Sequence, residues 1–130
     1  MTDSSTTGSG ESVFARSKIA EGVLMIKLVG PNIGQREAPI IAQTIREDLE
    51  RLPDPPRAAV LHFGDVTFLN STGLGMCIEL HNDFKKRKIR LILYKIAPDI
   101  LSVLKMTKMD RLFTIVDDPK RLEKELAKKK

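Results

Sequence analysis

Apolar and polar residues alternate near the start of the chain in a way that is typical of strands. Two apolar-rich runs, residues 13–20 and 23–29, are separated by Glu21-Gly22, a dipeptide that favours a two-residue hairpin turn. Every second residue of the second run is a large aliphatic one, so one face of that strand is expected to be buried. Glycine, proline and asparagine at residues 30–32 then end the regular pattern. The sequence therefore predicts an antiparallel hairpin at the start of the domain.

Helical spacing follows this hairpin. Between residues 37 and 52 the apolar side chains recur at every third or fourth position, which predicts an amphipathic helix. Pro39 lies in its first turn, where a missing N–H group removes no helical hydrogen bond. The proline-rich segment 53–56 ends the helix. The aliphatic residues of its apolar stripe are Ile41, Ile45, Leu49 and Leu52.

The rest of the chain alternates between short apolar runs and amphipathic segments. The run at 89–96 is largely apolar, which indicates a strand covered on both faces. Further strands are predicted at 58–63 and 112–116, and further helices at 71–87, from Pro98 and from Pro119. The element order β-β-α-β-α-β-α-β-α predicts an α/β fold, with a mixed sheet of four to five strands packed against about four helices.

Length and composition predict one domain with a short tail. The chain has 130 residues, enough for a single domain that buries about two-thirds of its unfolded surface. Residues 1–12 are rich in serine, threonine and glycine and have few apolar side chains, so they are expected to form a flexible tail. Residues 13–130 are assigned to the domain.

Charge and cysteine content narrow the class of protein. The net charge is +5, but residues 119–130 hold six Lys or Arg against two Glu, so the excess belongs to a basic C-terminal segment. With one Tyr and no Trp the chain lacks the stacking aromatics of single-strand binders, and no nucleic-acid partner is predicted. Cys77 is the single cysteine, which excludes an intramolecular disulfide. Neither a leader nor an apolar run of about 18 residues is seen, so a soluble, cytoplasmic protein without membrane insertion is expected.

Candidate chemistry lies at the turn between the strand at 58–63 and the next helix. Asn70-Ser71-Thr72-Gly73 stands there, directly before the helical spacing begins. A hydroxyl at this place can accept hydrogen bonds from the free N–H groups of the first turn and act as an N-cap. The same position favours negative charge through the helix dipole, so the hydroxyl could instead carry a phosphoryl group. Both interpretations stay open on the residues alone.

Two segments, residues 66–75 and 106–116, resemble the signatures of the STAS domain, the fold shared by bacterial anti-sigma factor antagonists and the cytoplasmic tails of sulphate transporters. The resemblance implies a partner-switching regulator of transcription that has no catalytic activity, cofactor or metal site of its own. Its unphosphorylated form would bind an anti-sigma factor, usually an ATP-dependent serine kinase, and so free the sigma factor. A metal-dependent serine phosphatase would reverse phosphorylation.

The resemblance places the phosphorylation site at Ser71, with Thr72 as the alternative. Ser71 is favoured because Thr72 is bulkier and β-branched. The residues predicted to contact the partner are Phe68, Asn70, Ser71, Thr72, Gly73, Leu74 and Gly75. Phe68 or Leu74 would supply an apolar anchor, while Gly73 and Gly75 would let the partner approach the backbone closely.

The sequence departs from the family pattern at two positions. Asn70 and His62 stand where many members have an acidic residue. A carboxylate that could orient the hydroxyl or engage a kinase is therefore missing. The alternative function is a STAS scaffold that binds other proteins without phosphorylation, in a stress-signalling assembly or a lipid-transport system. An enzyme is not predicted, because the residues show no nucleophile, base and orienting group in a recognisable set.

Overall fold

The alternating pattern of the sequence produces a central mixed sheet with helices on both faces. The computed structural model of the protein describes residues 11–12 and 14–128. The strands are β1 Glu11–Ser12, β2 Ala15–Ala20, β3 Val23–Leu28, β4 Asn32–Ile33, β5 Ala58–His62, β6 Phe68–Leu69, β7 Arg90–Tyr94 and β8 Thr114–Val116. The helices are α1 Glu37–Arg51, α2 Ser71–Lys86, α3 Pro98–Met106 and α4 Pro119–Ala127, with a 3-10 turn at Met109–Arg111.

The main sheet has the strand order β1-β2-β3-β5-β7-β8. Strand β2 is antiparallel to both β1 and β3, and β3, β5, β7 and β8 run parallel to one another. The predicted hairpin is present between β2 and β3, where Ala20 pairs with Val23. Its turn residues Glu21 and Gly22 have φ values of 53° and 79°. Positive φ at both central residues is what a two-residue type I′ hairpin turn requires.

Two layers of side chains form the core, one on each face of the sheet. The larger cluster lies under α1, α2 and α3 and includes Ile45, Leu80 and Leu104. The smaller cluster lies on the opposite face, where Leu122 and Leu126 of α4 pack on the sheet. Strand β7 contributes alternate residues to both clusters, which confirms that it is covered on both faces.

The predicted fold class is confirmed, since all the predicted strands and helices are present within a few residues of their expected bounds. Three short strands were not predicted: β1 adds a strand at one edge of the main sheet, and β4 and β6 form a separate parallel pair. The expected flexible tail, residues 1–12, lies outside the described residues except for Glu11–Ser12, which pairs with β2. The division into tail and domain stays a prediction.

Cys77 is a core residue of α2. Its side chain is buried in the larger cluster, and desolvation by burial raises the pKa of the thiol to about 12. A thiol in this environment stays protonated and unreactive at neutral pH. Cys77 is therefore a packing residue on the apolar face of α2.

Candidate functional site

The junction between β6 and α2 presents a serine hydroxyl to solvent. Ser71 is the first residue of α2, and its side chain is exposed. The N-cap is Asn70, whose Oδ1 accepts a hydrogen bond of 3.0 Å from the backbone N–H of Gly73. The interpretation of Ser71 or Thr72 as a plain N-cap is therefore wrong. Because asparagine and aspartate cap helices about equally well, Asn70 keeps this structural role without a carboxylate.

A small parallel sheet holds the junction in place. Strands β4 and β6 pair with each other, and the N–H groups of Thr67 and Phe68 both donate to the carbonyl oxygen of Pro31 at 2.9 Å. The N–H of Asn70 donates to the carbonyl of Ile33 at 3.2 Å. These bonds fix the backbone directly before Ser71 from a segment more than 30 residues earlier in the chain. The hydroxyl is thus carried by an ordered junction.

Gly73 lets the first turn of α2 pack closely on β4. A Cβ atom at this position would lie 2.6 Å from the carbonyl oxygen of Ile33 and 2.6 Å from Cδ1 of Leu69, closer than such atoms can approach. Gly73 is buried, so its missing side chain serves packing inside the domain. Gly75 differs, because a Cβ there would meet no heavy atom within 4 Å. Of the two glycines, only Gly75 leaves open space for an approaching partner.

Thr72 is less accessible than Ser71. It is half-buried and lines a groove of about 530 Å³ between α1 and α2, together with Pro39, Gln43 and Gly75. Ser71 is exposed. The difference in exposure favours Ser71 as the residue that a second protein reaches first.

The two predicted apolar anchors, Phe68 and Leu74, differ in their exposure to solvent. Phe68 of β6 is 55% exposed, which is unusual for a large aromatic residue. Leu74 is half-buried and packs against the larger core cluster. Of the two predicted anchors, Phe68 offers the greater free apolar surface, and it lies two residues before the N-cap Asn70.

The electrostatic surroundings of Ser71 suit an added negative charge. The first turn of α2 contains no acidic residue. The N–H groups at the start of a helix lack partners within the helix, and the dipole places partial positive charge at this end. A phosphoryl group on Ser71 would therefore be accommodated without unfolding α2.

His62 is the last residue of β5. Its Nδ1 accepts a hydrogen bond of 3.0 Å from the N–H of Gly64, and its ring meets that of Tyr94 edge-on at 5.0 Å. Burial first, and then the charges of Lys27 and Lys95, lower the pKa of His62. The imidazole is therefore neutral at neutral pH and serves as an acceptor in the turn.

Residues 11–12 and 14–128 contain neither a membrane-spanning helix nor a cluster of metal ligands. None of the helices there combines the length and the apolar character that crossing a bilayer demands. In the same part of the chain, no group of three or more His, Cys, Asp or Glu side chains is arranged to hold a metal ion.

The domain is an α/β fold in which a mixed sheet is covered by helices on both faces, and an exposed hydroxyl lies at the start of α2. A family model described as the STAS domain matches residues 15–122. The chain belongs to the STAS domain family.

Solved structures share this fold at low sequence identity. An anti-sigma-factor antagonist (STAS) domain protein from Planctomyces limnophilus is 17% identical, with 88% of this chain and 98% of that chain covered and a TM-score of 0.74. The phosphorylated form of the Bacillus cell fate determinant SpoIIAA is 12% identical, with 88% and 99% covered and a TM-score of 0.65. A sulfate transporter family protein from Wolinella succinogenes is 17% identical, with 76% and 80% covered and a TM-score of 0.60. At these identities the likeness shows the fold alone.

Sequence reasoning missed one component of the site. The sequence pattern predicts a break at residues 30–32 and no strand at 32–33 or 68–69, yet the pairing of β4 with β6 places the segment 31–33 beside the junction that carries Ser71. The available signal was weak: a single aliphatic residue, Ile33, between Asn32 and Gly34. Two residues are too few to show a strand period.

Proposed function

We propose that this protein is an anti-sigma factor antagonist that acts by partner switching, with Ser71 as its phosphorylation site. In the unphosphorylated form, the surface around the β6–α2 junction binds an anti-sigma factor of the serine kinase type. This binding frees a sigma factor for transcription. The observation that carries the proposal is the exposed hydroxyl of Ser71, left free of the capping role by Asn70.

The kinase step is a simple transfer. The Ser71 oxygen attacks the γ-phosphorus of ATP, the bond from that phosphorus to the bridging oxygen breaks, ADP leaves, and a base of the kinase takes the hydroxyl proton. The protein itself contributes only a positioned acceptor. A metal-dependent serine phosphatase of the cell would hydrolyse the phosphoserine and restore the binding form.

Charge explains why phosphorylation would release the partner. The phosphoryl group adds about −1.5 to −2 charge at the centre of the proposed interface. The start of α2 stabilises this charge in the free protein. In the complex the same charge must lose its water, and it repels any carboxylate on the partner. Binding is therefore weakened while the fold is kept.

Relatives support this proposal through what their structures record. SpoIIAA, an anti-sigma factor antagonist, has been solved in both an unphosphorylated and a phosphorylated form, and both share the fold of this chain, with TM-scores of 0.63 and 0.65. A phosphorylated form of a protein with this fold supports the proposal that a domain of this kind can carry a phosphoryl group.

Phosphorylation of the purified protein tests the proposal directly. Incubation with an anti-sigma serine kinase from the same genome and ATP, followed by intact mass measurement, is expected to show one added phosphoryl group. Ser71→Ala should abolish the addition, whereas Thr72→Ala should keep it. An unmodified mass for the wild type, together with retained binding to the kinase, would instead support a scaffold that works without phosphorylation.

A further inference from the structure

A cavity at the far end of α2 lies well away from Ser71. It has a volume of about 770 Å³, which is within the range of small-molecule sites. Its walls come from the C-terminal end of α2, the first residues of β7 and β8, and residues next to β5, β8 and α4. Helix α2 has 16 residues, so its two ends lie about 24 Å apart at ~1.5 Å per residue. The cavity is therefore separate from the proposed partner surface.

The charged residues that line the cavity are cations. They are Arg57, Lys85, Lys88, Arg90 and Lys128, and no carboxylate from residues 11–12 or 14–128 lines it with them. An anionic group is the ligand chemistry that such a lining attracts.

Some of these cations are already engaged with α4. Arg90 donates to Oε1 of Glu125 at 2.6 Å and to its backbone carbonyl at 2.7 Å, while Arg57 donates to the carbonyl of Leu126 at 2.5 Å. Hydrogen bonds from Arg90 and then Lys128 lower the pKa of Glu125, so this carboxylate is ionised and taken up by those two cations. It does not neutralise the rest of the lining.

Lys85 and Lys88 are the cations left over. Neither forms a salt bridge with any residue in the ranges 11–12 and 14–128. A cation in the last turn of a helix complements the dipole, which is sufficient to explain Lys85. Lys88 lies beyond the end of α2, outside its last turn.

Lys88 has left-handed backbone, with a φ of 62°. Its N–H donates to the carbonyl of Lys85 at 3.1 Å, in the position after a helix where glycine is the usual residue. A side chain at this backbone conformation carries a steric penalty that glycine avoids. Lys88 lines the cavity, whereas Lys108, which has the same left-handed backbone after α3, does not.

The cavity also has an apolar wall. Ile89 and Leu91 are buried beneath it, and Leu112 contributes a side chain that is 42% exposed. An inorganic ion would leave this wall in contact with water. A ligand with both a charged head and an apolar body would cover the wall and meet the two lysines at once.

We propose that this cavity binds a phosphate monoester with an apolar body, whose dianionic head lies between Lys85 and Lys88 and whose body covers Ile89, Leu91 and Leu112. Two unpaired ammonium groups match the charge of a dianion, and the apolar wall matches a hydrocarbon body. The site is independent of Ser71 and of the switch proposed above.

Decyl phosphate, kept below its micellar concentration, is the probe that tests the proposal. Titration of the full chain, followed by amide chemical shifts and by calorimetry, is expected to shift the signals of Ile89, Leu91 and Thr114. Lys88→Gly should weaken binding by about tenfold or more, since a charge-assisted contact is lost. The same change removes the left-handed strain, so it should not lower the melting temperature.

Lys108→Gly is the matched control. Lys108 also follows a helix with left-handed backbone, at a φ of 61°, but it does not line the cavity. The Lys108→Gly variant is expected to bind decyl phosphate with the affinity of the wild type. The Leu112→Ala variant should bind decyl phosphate more weakly, because part of the apolar wall is lost.

Decanol and inorganic phosphate complete the test, and both should bind at least about tenfold more weakly than decyl phosphate. Equal affinity of Lys88→Gly and wild type would overturn the proposal. So would shifts confined to residues outside the cavity, or inorganic phosphate binding as tightly as the alkyl ester.

Discussion

Ser71→Asp is expected to weaken the complex with the anti-sigma factor by about tenfold or more, while Ser71→Ala keeps the affinity of the wild type. The carboxylate would stand at the first position of α2, three residues after Phe68, whose side chain is exposed. Burying a charge without a partner in an interface costs roughly 2–5 kcal/mol, much of it desolvation. Calorimetric titration of the purified kinase with each variant measures the difference.

The stability of Ser71→Asp should move in the opposite direction. A negative charge at the start of a helix stabilises it by about 0.3–1 kcal/mol through the dipole. Urea denaturation is therefore expected to show equal or higher stability, with an unchanged circular dichroism spectrum. Lower affinity in a protein of equal or higher stability would locate the effect at the interface.

Asn82→Asp is the control for added charge. Asn82 is an exposed residue of the same helix, about 16 Å from Ser71 along the axis at ~1.5 Å per residue. The Asn82→Asp variant should bind the kinase with wild-type affinity. Equal affinities of the kinase for the wild type and for Ser71→Asp would show that Ser71 lies outside the interface.

Gly73→Ala is expected to lower the free energy of unfolding by about 1–3 kcal/mol, as overpacking in a well-packed region does. The new methyl group would lie 2.6 Å from the carbonyl oxygen of Ile33, a backbone atom that is held by the β4–β6 pairing. The carbonyl oxygen of Ile33 cannot move aside by a rotamer change, as the end of a flexible side chain could. The relief must come from movement of the junction that carries Ser71, so kinase binding should fall as well.

Gly75→Ala is the matched control two residues further along α2. Its methyl group meets no heavy atom within 4 Å, and alanine is favoured over glycine inside a helix by about 0.8–1 kcal/mol. Urea denaturation should therefore show higher stability for Gly75→Ala and lower stability for Gly73→Ala. If the two variants changed stability in the same direction, the close contact at Gly73 would not be the cause.

The main strands and helices could be predicted because their signals are local. Apolar spacing in α1 and β7, the turn at Glu21-Gly22, and the prolines that begin α3 and α4 each act over a few neighbouring residues. The family resemblance then located the candidate hydroxyl. These two sources together gave the fold class and the position of Ser71.

The details of the site depend on contacts between distant parts of the chain. Residues 32–33 pair with 68–69, and neither segment is long enough to have a period of its own. The difference between Gly73 and Gly75 depends on Ile33 and Leu69, which approach one of them and not the other. The assignment of the cap to Asn70, in place of Ser71 or Thr72, follows from backbone geometry that this pairing sets.

The affinity of the phosphorylated protein for its anti-sigma factor tests the central claim most directly. The wild type, phosphorylated completely on Ser71 and purified from the kinase, would be titrated calorimetrically against that kinase beside the unphosphorylated protein. The account predicts binding at least about tenfold weaker for the phosphorylated form, with full recovery after phosphatase treatment. Equal affinities of the two forms would contradict it.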